Sequence, residues 1–420
     1  MIVKRRILNK IYPWLDSPHI IVIHGARRAG KTILLKILEN ELKRLKKSVL
    51  YMAVDQMLFE PFFKDPISFE KWLKKEGYLN SGPLYILLDE VQYLSDAALF
   101  LKVLFDRLGS KVKLIVSGSS SLELSKDKAL LTGRKIEFSL QRFSFLEFLS
   151  LRLQKDFVDM VPISDIEQIK EIYSIYEQRL KELFLEYITW GGYPEVILEE
   201  NPQKKSILLR EILSSYIEKD VSGFLRIRQA TAFNNLIRLL ASQVGGLVNK
   251  TEICNTLGIR FETLNFYLDI LKNTFIFDFI QPFFQNVRKE ISKSPKVYAK
   301  DMGIVYYALK RKFDEYALIP GEIIENFVYR ELMERFIESD IHFYRTLSGA
   351  EIDFVVEDKK FYLIESKFSN QKRFPKSIKN FIKNYLKDRS HLTIIITKEV
   401  FSYEGDIIYL PAVCSPLWEF

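Results

Sequence analysis

The stretch that most constrains the fold is HIIVIHGARRAGKTILLKILENEL, which begins at His19. It joins an apolar run typical of a buried strand, a glycine-bearing turn, and a segment whose leucines and isoleucines recur at helical spacing. The turn, from Gly25 to Thr32, matches the pattern GxxxxGK[ST]. In that order the glycines let backbone N–H groups surround a phosphate at a helix N-terminus. The stretch therefore predicts a parallel α/β sheet with a nucleotide site at its edge.

Each part of this loop has a predicted role. Lys31 neutralises the β- and γ-phosphate oxygens, and the Thr32 hydroxyl binds Mg²⁺. The residues expected to surround the nucleotide are Gly25, Ala26, Arg27, Arg28, Ala29, Gly30, Lys31, Thr32 and Ile33. The predicted cofactors are therefore ATP and Mg²⁺.

A second apolar run, LYILLDEVQYL, ends in two acids, Asp89 and Glu90. Asp89 would hold Mg²⁺ through water, and Glu90 would orient or deprotonate the attacking water. Acid pairs after strands also cap helices. Because the phosphate loop lies upstream, the catalytic interpretation is favoured, with Lys31 and Glu90 as catalytic residues.

Polar residues follow further along this half of the chain. Ser117 and Ser119, in KVKLIVSGSSSLEL, either sense the γ-phosphate or cap a helix. Arg134, in LLTGRKIEF, either reaches a phosphate as an arginine finger, within its own chain or in a neighbouring subunit, or is an ordinary surface arginine. Asp55, at the end of YMAVD, is expected beside the site.

With RRAGKT, DEVQ, GSSS and TGR at these intervals, the chain resembles a family of prokaryotic AAA-type ATP-binding proteins that carry a C-terminal domain of unknown function. YITWGGYPEV, from Tyr187, and YIEKDV, from Tyr216, resemble that family's linking region and the start of its C-terminal domain. The resemblance implies ATP binding and hydrolysis. The family's nucleotide residues fall on Lys31, Thr32, Asp89 and Glu90.

The middle of the chain reads as helices. Residues 165–220 are helical between the breakers GGYPE and Asn-Pro, which indicates a lid or connector. From Thr231 three amphipathic segments precede FIFDFIQPFFQN, the outline of a winged helix-turn-helix with residues 261–272 as recognition helix. Such a fold contacts either DNA or a protein. The helix is rich in Phe, Leu and Tyr rather than Arg or Asn, which disfavours base reading, but the surplus of Lys and Arg from Arg288 to Lys300 favours DNA contact.

Near the far end, AEIDFVVEDKKFYLIESK predicts a hairpin centred on Lys359. Asp353 and Glu365 are equidistant from that residue and would face each other, with Lys367 on the same side. The arrangement resembles the PD-(D/E)xK nuclease fold, with Glu325 on the preceding helix as the extra acid. A metal site on Glu325, Asp353 and Glu365 with Lys367 is one interpretation. The others are a charged hairpin with salt bridges and a nuclease-like fold without its chemistry.

Charge and composition indicate the kind of partner, the absence of a membrane span and the cellular compartment to expect. Residues 222–300 hold 11 basic against 5 acidic side chains, and residues 366–389 hold 8 against 1, within a net charge of +8. Both stretches either meet a polyanion such as DNA or are solvated surfaces. No run reaches the roughly 18 apolar residues of a membrane span. Cys254 and Cys414 give no disulfide framework, which favours a cytoplasmic protein.

The predicted architecture is a multidomain α/β chain. A P-loop AAA-type core with helices on both faces of a parallel sheet occupies residues 1–155, and a helical lid follows over 156–220. A winged helix-turn-helix spans 221–295, and an α/β restriction-endonuclease-like domain spans 296–420. The predicted function is ATP hydrolysis that controls DNA binding or cleavage. The alternative is a nucleotide-gated switch or scaffold that binds a protein partner, and a homo-oligomer is an open prediction.

Overall fold

The computed structural model describes residues 5–57, 59–80, 82–118, 128–153, 163–215, 230–283, 293–336, 341–387 and 389–419. The chain divides into two compact units, Met1–Arg142 and Phe143–Phe420, called unit 1 and unit 2 below. Among the described residues, none of the helices combines the length and apolar character that crossing a bilayer requires.

Unit 1 contains a parallel sheet. Its strands, β1 to β5, are Ile20–Gly25, Ser48–Ala53, Leu84–Asp89, Val112–Gly118 and Lys135–Leu140. Their order in the sheet is β2-β3-β4-β1-β5. The helices α1 to α4 are Ile7–Ile11, Lys31–Arg44, Pro66–Lys75 and Ala97–Leu108. Short 3₁₀ turns lie at Tyr12–Trp14, Pro61–Phe63, Val91–Tyr93, Gly109–Lys111 and Lys128–Leu131.

The apolar runs of the sequence explain this sheet. Strands β3 and β4 are buried along their whole length, as expected for parallel strands covered by helices. Ile86, Leu88 and Val116 pack in one core with Phe69 of α3 and Leu101 of α4. Because β1, β3 and β4 are neighbours, their carboxyl ends meet at one edge of the sheet. Ligands of open α/β sheets bind at this kind of edge.

Unit 2 begins with helices and ends with a larger sheet. Its helices α5 to α14 are Phe145–Leu153, Ile166–Trp190, Pro194–Leu198, Pro202–Ser215, Ala230–Ser242, Lys250–Leu257, Phe261–Asn273, Met302–Leu309, Gly321–Arg335 and Lys376–Tyr385. Its strands β6 to β13 are Phe277–Ile280, Lys296–Ala299, Ile341–Arg345, Glu351–Glu357, Phe361–Ser366, His391–Thr397, Ser402–Glu404 and Ile407–Pro411. Tyr316–Leu318 and Ala412–Leu417 are 3₁₀ turns.

The larger sheet is mixed, in the order β12-β13-β11-β10-β9-β8. Strand β10 pairs antiparallel with β9 and parallel with β11. Ile378 and Phe381 of α14 are fully buried in a core with Val355, Leu363 and Ile395 of these strands. The apolar side of α14 thus covers one face of the sheet, because its buried residues lie three apart on the helix.

Three helices, α9 to α11, precede a two-stranded antiparallel sheet formed by β6 and β7. The chain between α9 and α10 joins this sheet, since Leu247 forms a bridge with Lys296 of β7. The Gly245 N–H donates to the Val297 carbonyl oxygen at 2.8 Å, and the Val297 N–H donates to Gly246 at 3.0 Å. Strand β7 is therefore held from both sides.

Candidate functional site

The phosphate-loop sequence forms the predicted strand, turn and helix. β1 ends at Gly25 and α2 begins at Lys31. Gly30 has φ of 96°, a left-handed conformation that glycine adopts at little steric cost. A Cβ atom at Gly25 would lie 2.3 Å from the Leu140 carbonyl oxygen. The backbone path therefore requires both glycines, and it delivers the loop to the N-terminus of α2, where anions bind favourably.

The Lys31 side chain turns back into the loop. Its Nζ donates to the carbonyl oxygens of Gly25 at 3.2 Å and Ala26 at 3.1 Å, and the residue is 4% exposed. Thr32 is exposed in the first turn of α2, as is Ile33. The loop thus holds a positioned ammonium beside an accessible hydroxyl, which are the two groups predicted for phosphate and Mg²⁺.

Asp89, at the end of β3, is surrounded by donors. The Tyr51 hydroxyl donates to its Oδ2 at 3.1 Å, and the Glu90 N–H donates to its Oδ1 at 3.1 Å. The buried Ser117 hydroxyl on β4 also donates to Oδ1. Three donors fix the carboxylate in one orientation. Ser117 therefore positions Asp89, and Tyr51 of β2 is a partner that the sequence did not reveal.

Glu90 has an unusual backbone. Its φ of 56° and ψ of 44° are left-handed, which a side chain other than glycine rarely adopts. Such a conformation costs about 1–3 kcal/mol and is found most often at functional sites. The Gln92 side-chain amide donates to the Glu90 carboxylate. Glu90 is thus held next to Asp89 at the carboxyl edge of the sheet.

Arg5 was not among the predicted site residues. Its guanidinium is buried and donates to the Ala29 carbonyl oxygen at 3.0 Å and to that of Gln141 at 2.6 Å. Ala29 belongs to the phosphate loop, and Gln141 follows β5. Arg5 therefore braces the back of the loop. No local pattern signals this contact, because the partners lie 24 and 136 residues away.

Arg134 lies at the other edge of the sheet. It precedes β5, which pairs with β1 from Ile20↔Lys135 to Gly25↔Leu140. Its Nε donates a hydrogen bond to Asp106 Oδ1 at 2.9 Å. Five strand residues, roughly 17 Å, separate it from the loop, so it does not reach a phosphate in its own chain. Action on a neighbouring subunit stays a prediction. Asp55 is exposed just past β2, and Ser119 lies outside the described residues.

The acidic hairpin of unit 2 has the predicted register. β9 and β10 pair from Phe361↔Glu357 to Ile364↔Phe354, so the next pair in sequence is Asp353 and Glu365. The Asp353 N–H donates to Glu365 Oε2 at 3.2 Å, and the Ser366 N–H donates to Asp353 Oδ2 at 2.7 Å. Lys367 Nζ lies 2.6 Å from Glu365 Oε1. Asp353, Glu365 and Lys367 therefore meet.

The carboxylates that gather most closely differ from the predicted set. One oxygen from each of Glu325, Glu351 and Asp353 lies within 4.8 Å of the others. These three residues are called the acidic cluster below. Glu351, at the start of β9, was not predicted, and Glu365 lies at the side of the cluster against Lys367. The sequence gives a signal for Glu351 only in retrospect, since it is two residues before Asp353 on the same strand face.

Burial and neighbouring charges raise the pKa of both Asp353 and Glu365. Burial, together with the charges of Glu325 and Glu365, raises the pKa of Asp353 well above its usual range. Burial also raises the pKa of Glu365, although Lys367 opposes the shift. Carboxylates crowded in this way are typical of acid–base or metal-binding sites, where a cation restores the charged form.

The predicted recognition helix, α11, presents a mixed surface. Its exposed residues include Phe261, Glu262, Phe266, Asp269 and Lys272. Two acids on that face repel phosphate, and two exposed phenylalanines suit an apolar partner. Of the two alternatives for this helix, the exposed face favours contact with a protein.

Family comparisons divide the chain into three matched segments. The model of an AAA domain matches residues 17–149. Two domains of unknown function match residues 181–315 (DUF8612) and 320–414 (DUF4143). Together with the loop and sheet of unit 1, the first match establishes the front of the chain as an AAA-type P-loop domain.

Curated relatives span nearly the whole chain. An uncharacterized protein of Haemophilus influenzae is 27% identical over 364 residues, which covers 84% of this chain and 84% of that protein. An uncharacterized protein of Methanocaldococcus jannaschii is 28% identical over 405 residues, covering 93% and 85%. The similarity thus extends beyond the AAA domain into unit 2.

Solved structures similar to the chain include DnaA and Cdc6p. AMPPCP-bound DnaA from Aquifex aeolicus gives a TM-score of 0.27 at 16% identity, covering 63% of this chain and 92% of that chain. Cdc6p from Pyrobaculum aerophilum gives a TM-score of 0.29 at 13% identity, covering 74% and 96%.

Proposed function

We propose that unit 1 binds ATP with Mg²⁺ and hydrolyses it. The observation that carries the proposal is that Lys31 follows β1 through the phosphate loop and that Asp89 and Glu90 stand at the carboxyl end of β3 in the same parallel sheet, within a segment that matches an AAA domain. Each residue has the chemistry its place requires. The ammonium would neutralise phosphate charge. One carboxylate would bind Mg²⁺, and the other would activate the water that attacks the terminal phosphate.

The Mg²⁺ ion fits the donors at this edge. A hydroxyl oxygen from Thr32 and carboxylate oxygens from Asp89 are hard ligands of the kind that Mg²⁺ prefers. When bound, the ion neutralises charge on the phosphates. Tyr51 and Ser117 fix the Asp89 carboxylate by hydrogen bonds, so Asp89 would hold the ion, and Glu90 would orient the attacking water and accept its proton. The test is Mg²⁺-dependent phosphate release from ATP by the full chain, its Lys31→Ala variant and its Glu90→Gln variant.

A second candidate function belongs to unit 2. The pairing of Asp353 with Glu365 beside Lys367 supports metal-dependent cleavage of a nucleic-acid backbone. Carboxylate oxygens suit Mg²⁺ or Mn²⁺, and a lysine stabilises developing negative charge. We assign α9 to α11 with β6 and β7 to a winged helix, and the six-stranded sheet with α13 and α14 to a nuclease-like fold. The boundaries at residues 155 and 220 stay predictions, and this assignment moves the boundary at residue 295 past β7, which ends at Ala299.

A row of lysines on α14 suits a nucleic-acid backbone. Lys376, Lys379 and Lys383 are exposed on one face of the helix, and Lys387 is exposed two residues past its end. None of the four forms an ion pair with any described residue. Neighbours three or four apart on a helix lie about 5–6 Å apart. The apolar side of α14 is already buried in the sheet, so the helix has no apolar face left to enter a membrane. This row is called the lysine row below.

Removing the lysine row is expected to weaken DNA binding. The triple change of Lys376, Lys379 and Lys383 to Gln should lower affinity at least tenfold and reduce the slope of log K against log salt by about 2 to 3. Fluorescence anisotropy with a labelled duplex at several salt concentrations measures both. The charge-matched control changes the exposed Lys170, Lys204 and Lys359 to Gln. An equal loss in both variants would show only nonspecific attraction by net charge.

Cleavage in unit 2 is expected to require residues from both arms of the hairpin. Asp353→Asn and Lys367→Ala should each reduce Mn²⁺-dependent nicking of plasmid DNA by at least about 10²-fold, because they remove a metal ligand and a charge stabiliser. The control is Glu357→Gln, on the same strand but exposed and paired with Arg389. Nicking that persists in both variants places the activity outside this hairpin.

The other function is a nucleotide-gated scaffold for a protein. The exposed phenylalanines and acids of α11 favour it. An ATPase rate that does not respond to DNA, combined with no salt-sensitive DNA binding, would select this function over nucleic-acid processing.

A further inference from the structure

Lys296 is a buried lysine inside the acidic cluster. It lies on β7 and is 2% exposed. Its Nζ is 2.8 Å from Glu325 Oε1 and also forms an ion pair with Glu351. The function proposed for unit 2 assigns no role to this residue. A fully desolvated ammonium is found only where acids compensate its charge.

The Lys296 ammonium occupies the place that a bound metal ion would take. The oxygens of Glu325, Glu351 and Asp353 lie within 4.8 Å of one another, so any ion they share must contact the carboxylates that Lys296 already holds. The ammonium would repel a divalent ion on the same carboxylates, since like charges a few ångströms apart repel strongly in a buried site. Lys296 and a divalent ion are therefore competitors.

Several contacts keep Lys296 in place. The Val248 N–H donates to Pro295 at 2.8 Å, next to the pairing of Val297 with Gly245 and Gly246. The Tyr298 hydroxyl, two residues further along β7, donates to Glu325 Oε1 at 2.5 Å. Although burial opposes it, the carboxylates of Glu325, Asp353 and Glu351 raise the pKa of Lys296 to about 12. The lysine thus stays charged throughout the physiological range.

We propose that Lys296 is the resident cation of the acidic cluster, and that a divalent ion binds there only when β7 withdraws this side chain. The proposal rests on the metal site proposed for unit 2 and adds its regulation. In the arrangement described, Lys296 pairs with Glu325 and Glu351, and Arg345 also pairs with Glu351 at 3.3 Å. The cluster is closed to metal until strand β7 moves.

The test is Mn²⁺ binding by the nucleotide-free full chain, followed by the EPR signal of free Mn²⁺. Wild type is expected to show no site that depends on Asp353. Lys296→Met should create such a site. It should bind Mn²⁺ at least about tenfold more tightly than any Mn²⁺ binding measured for wild type. The double variant Lys296→Met with Asp353→Asn should lose it again. The matched control is Lys300→Met, a buried lysine beside the same strand that pairs with Asp278.

Two results would overturn the proposal. One is wild-type Mn²⁺ binding that Asp353→Asn abolishes, since Lys296 would then not exclude the ion. The other is a folded Lys296→Met chain that binds no Mn²⁺. If that variant does not fold, as judged by circular dichroism, Lys296→Gln supplies a neutral side chain that still donates to Glu325, and the same outcomes apply.

Measurements of Mn²⁺ binding and of DNA cleavage distinguish this proposal from the nuclease function on which it rests. Lys296→Met that gains an Asp353-dependent Mn²⁺ site but cuts no DNA supports the resident lysine and contradicts the nuclease function. Wild-type cleavage that persists in Asp353→Asn contradicts the nuclease function, and the Mn²⁺ titration of Lys296→Met then decides the resident lysine by itself.

Discussion

Lys31→Ala is expected to reduce ATP turnover by at least about 10²–10³-fold, the usual loss when a preorganised charge is removed from a reacting group. The structure gives the reason. The Lys31 ammonium is buried in the loop at 3.1–3.2 Å from two loop carbonyl oxygens, so its charge is preorganised within the loop. Binding of a fluorescent ATP analogue should fall as well, because the loop loses its main positive charge.

The matched control for this prediction is Lys43→Ala. Lys43 lies on the same helix, but it is exposed and pairs with Glu39. Turnover that is unchanged in Lys31→Ala would remove the loop from the catalytic mechanism. Similar losses in both variants would indicate damage to α2 rather than to the loop.

Glu90→Gln is expected to bind ATP normally and to hydrolyse it about 10²–10⁴-fold more slowly, the range for loss of a general base. The amide has nearly the shape of the carboxylate, so the hydrogen bond from Gln92 can be replaced and the left-handed backbone remains. The chain should therefore accumulate with unhydrolysed ATP bound. Single-turnover phosphate release measures the chemical step, and equilibrium binding measures affinity.

Glu76→Gln is the corresponding control, since Glu76 is an exposed acid after α3. Normal turnover in Glu90→Gln would transfer the catalytic role to another group. A parallel fall in affinity and rate would instead indicate that Glu90 shapes the site without acting on water.

Local patterns predicted the parts of the fold that depend on neighbours in sequence. The strand, turn and helix around Gly25 to Lys31 follow from steric and phosphate-binding requirements that operate within about ten residues. The hairpin register also follows from local symmetry, because residues equidistant from Lys359 must pair once the turn forms. Asp353 and Glu365 were therefore placed correctly.

Contacts across the fold could not be predicted in this way. Lys296 joins Glu325 and Glu351 from a separate sheet, and Tyr51 joins Asp89 from a neighbouring strand. Both depend on which strands become adjacent, which no local periodicity specifies. Arg134 shows the same limit. Its glycine-flanked motif suggests a phosphate contact, but parallel pairing of β5 with β1 carries it to the opposite edge.

The hydrogen bonds between residues 245–248 and 295–297 have a thermodynamic consequence. They connect the turn after α9 to the strand that carries Lys296, and Gly245 itself lies against Glu325. A partner on the three-helix segment that shifted β7 would therefore also change the affinity of the acids for an ion. By linkage, if the partner changes the affinity for the ion by some factor, the ion changes the affinity for the partner by the same factor. A titration of either ligand would report the presence of the other.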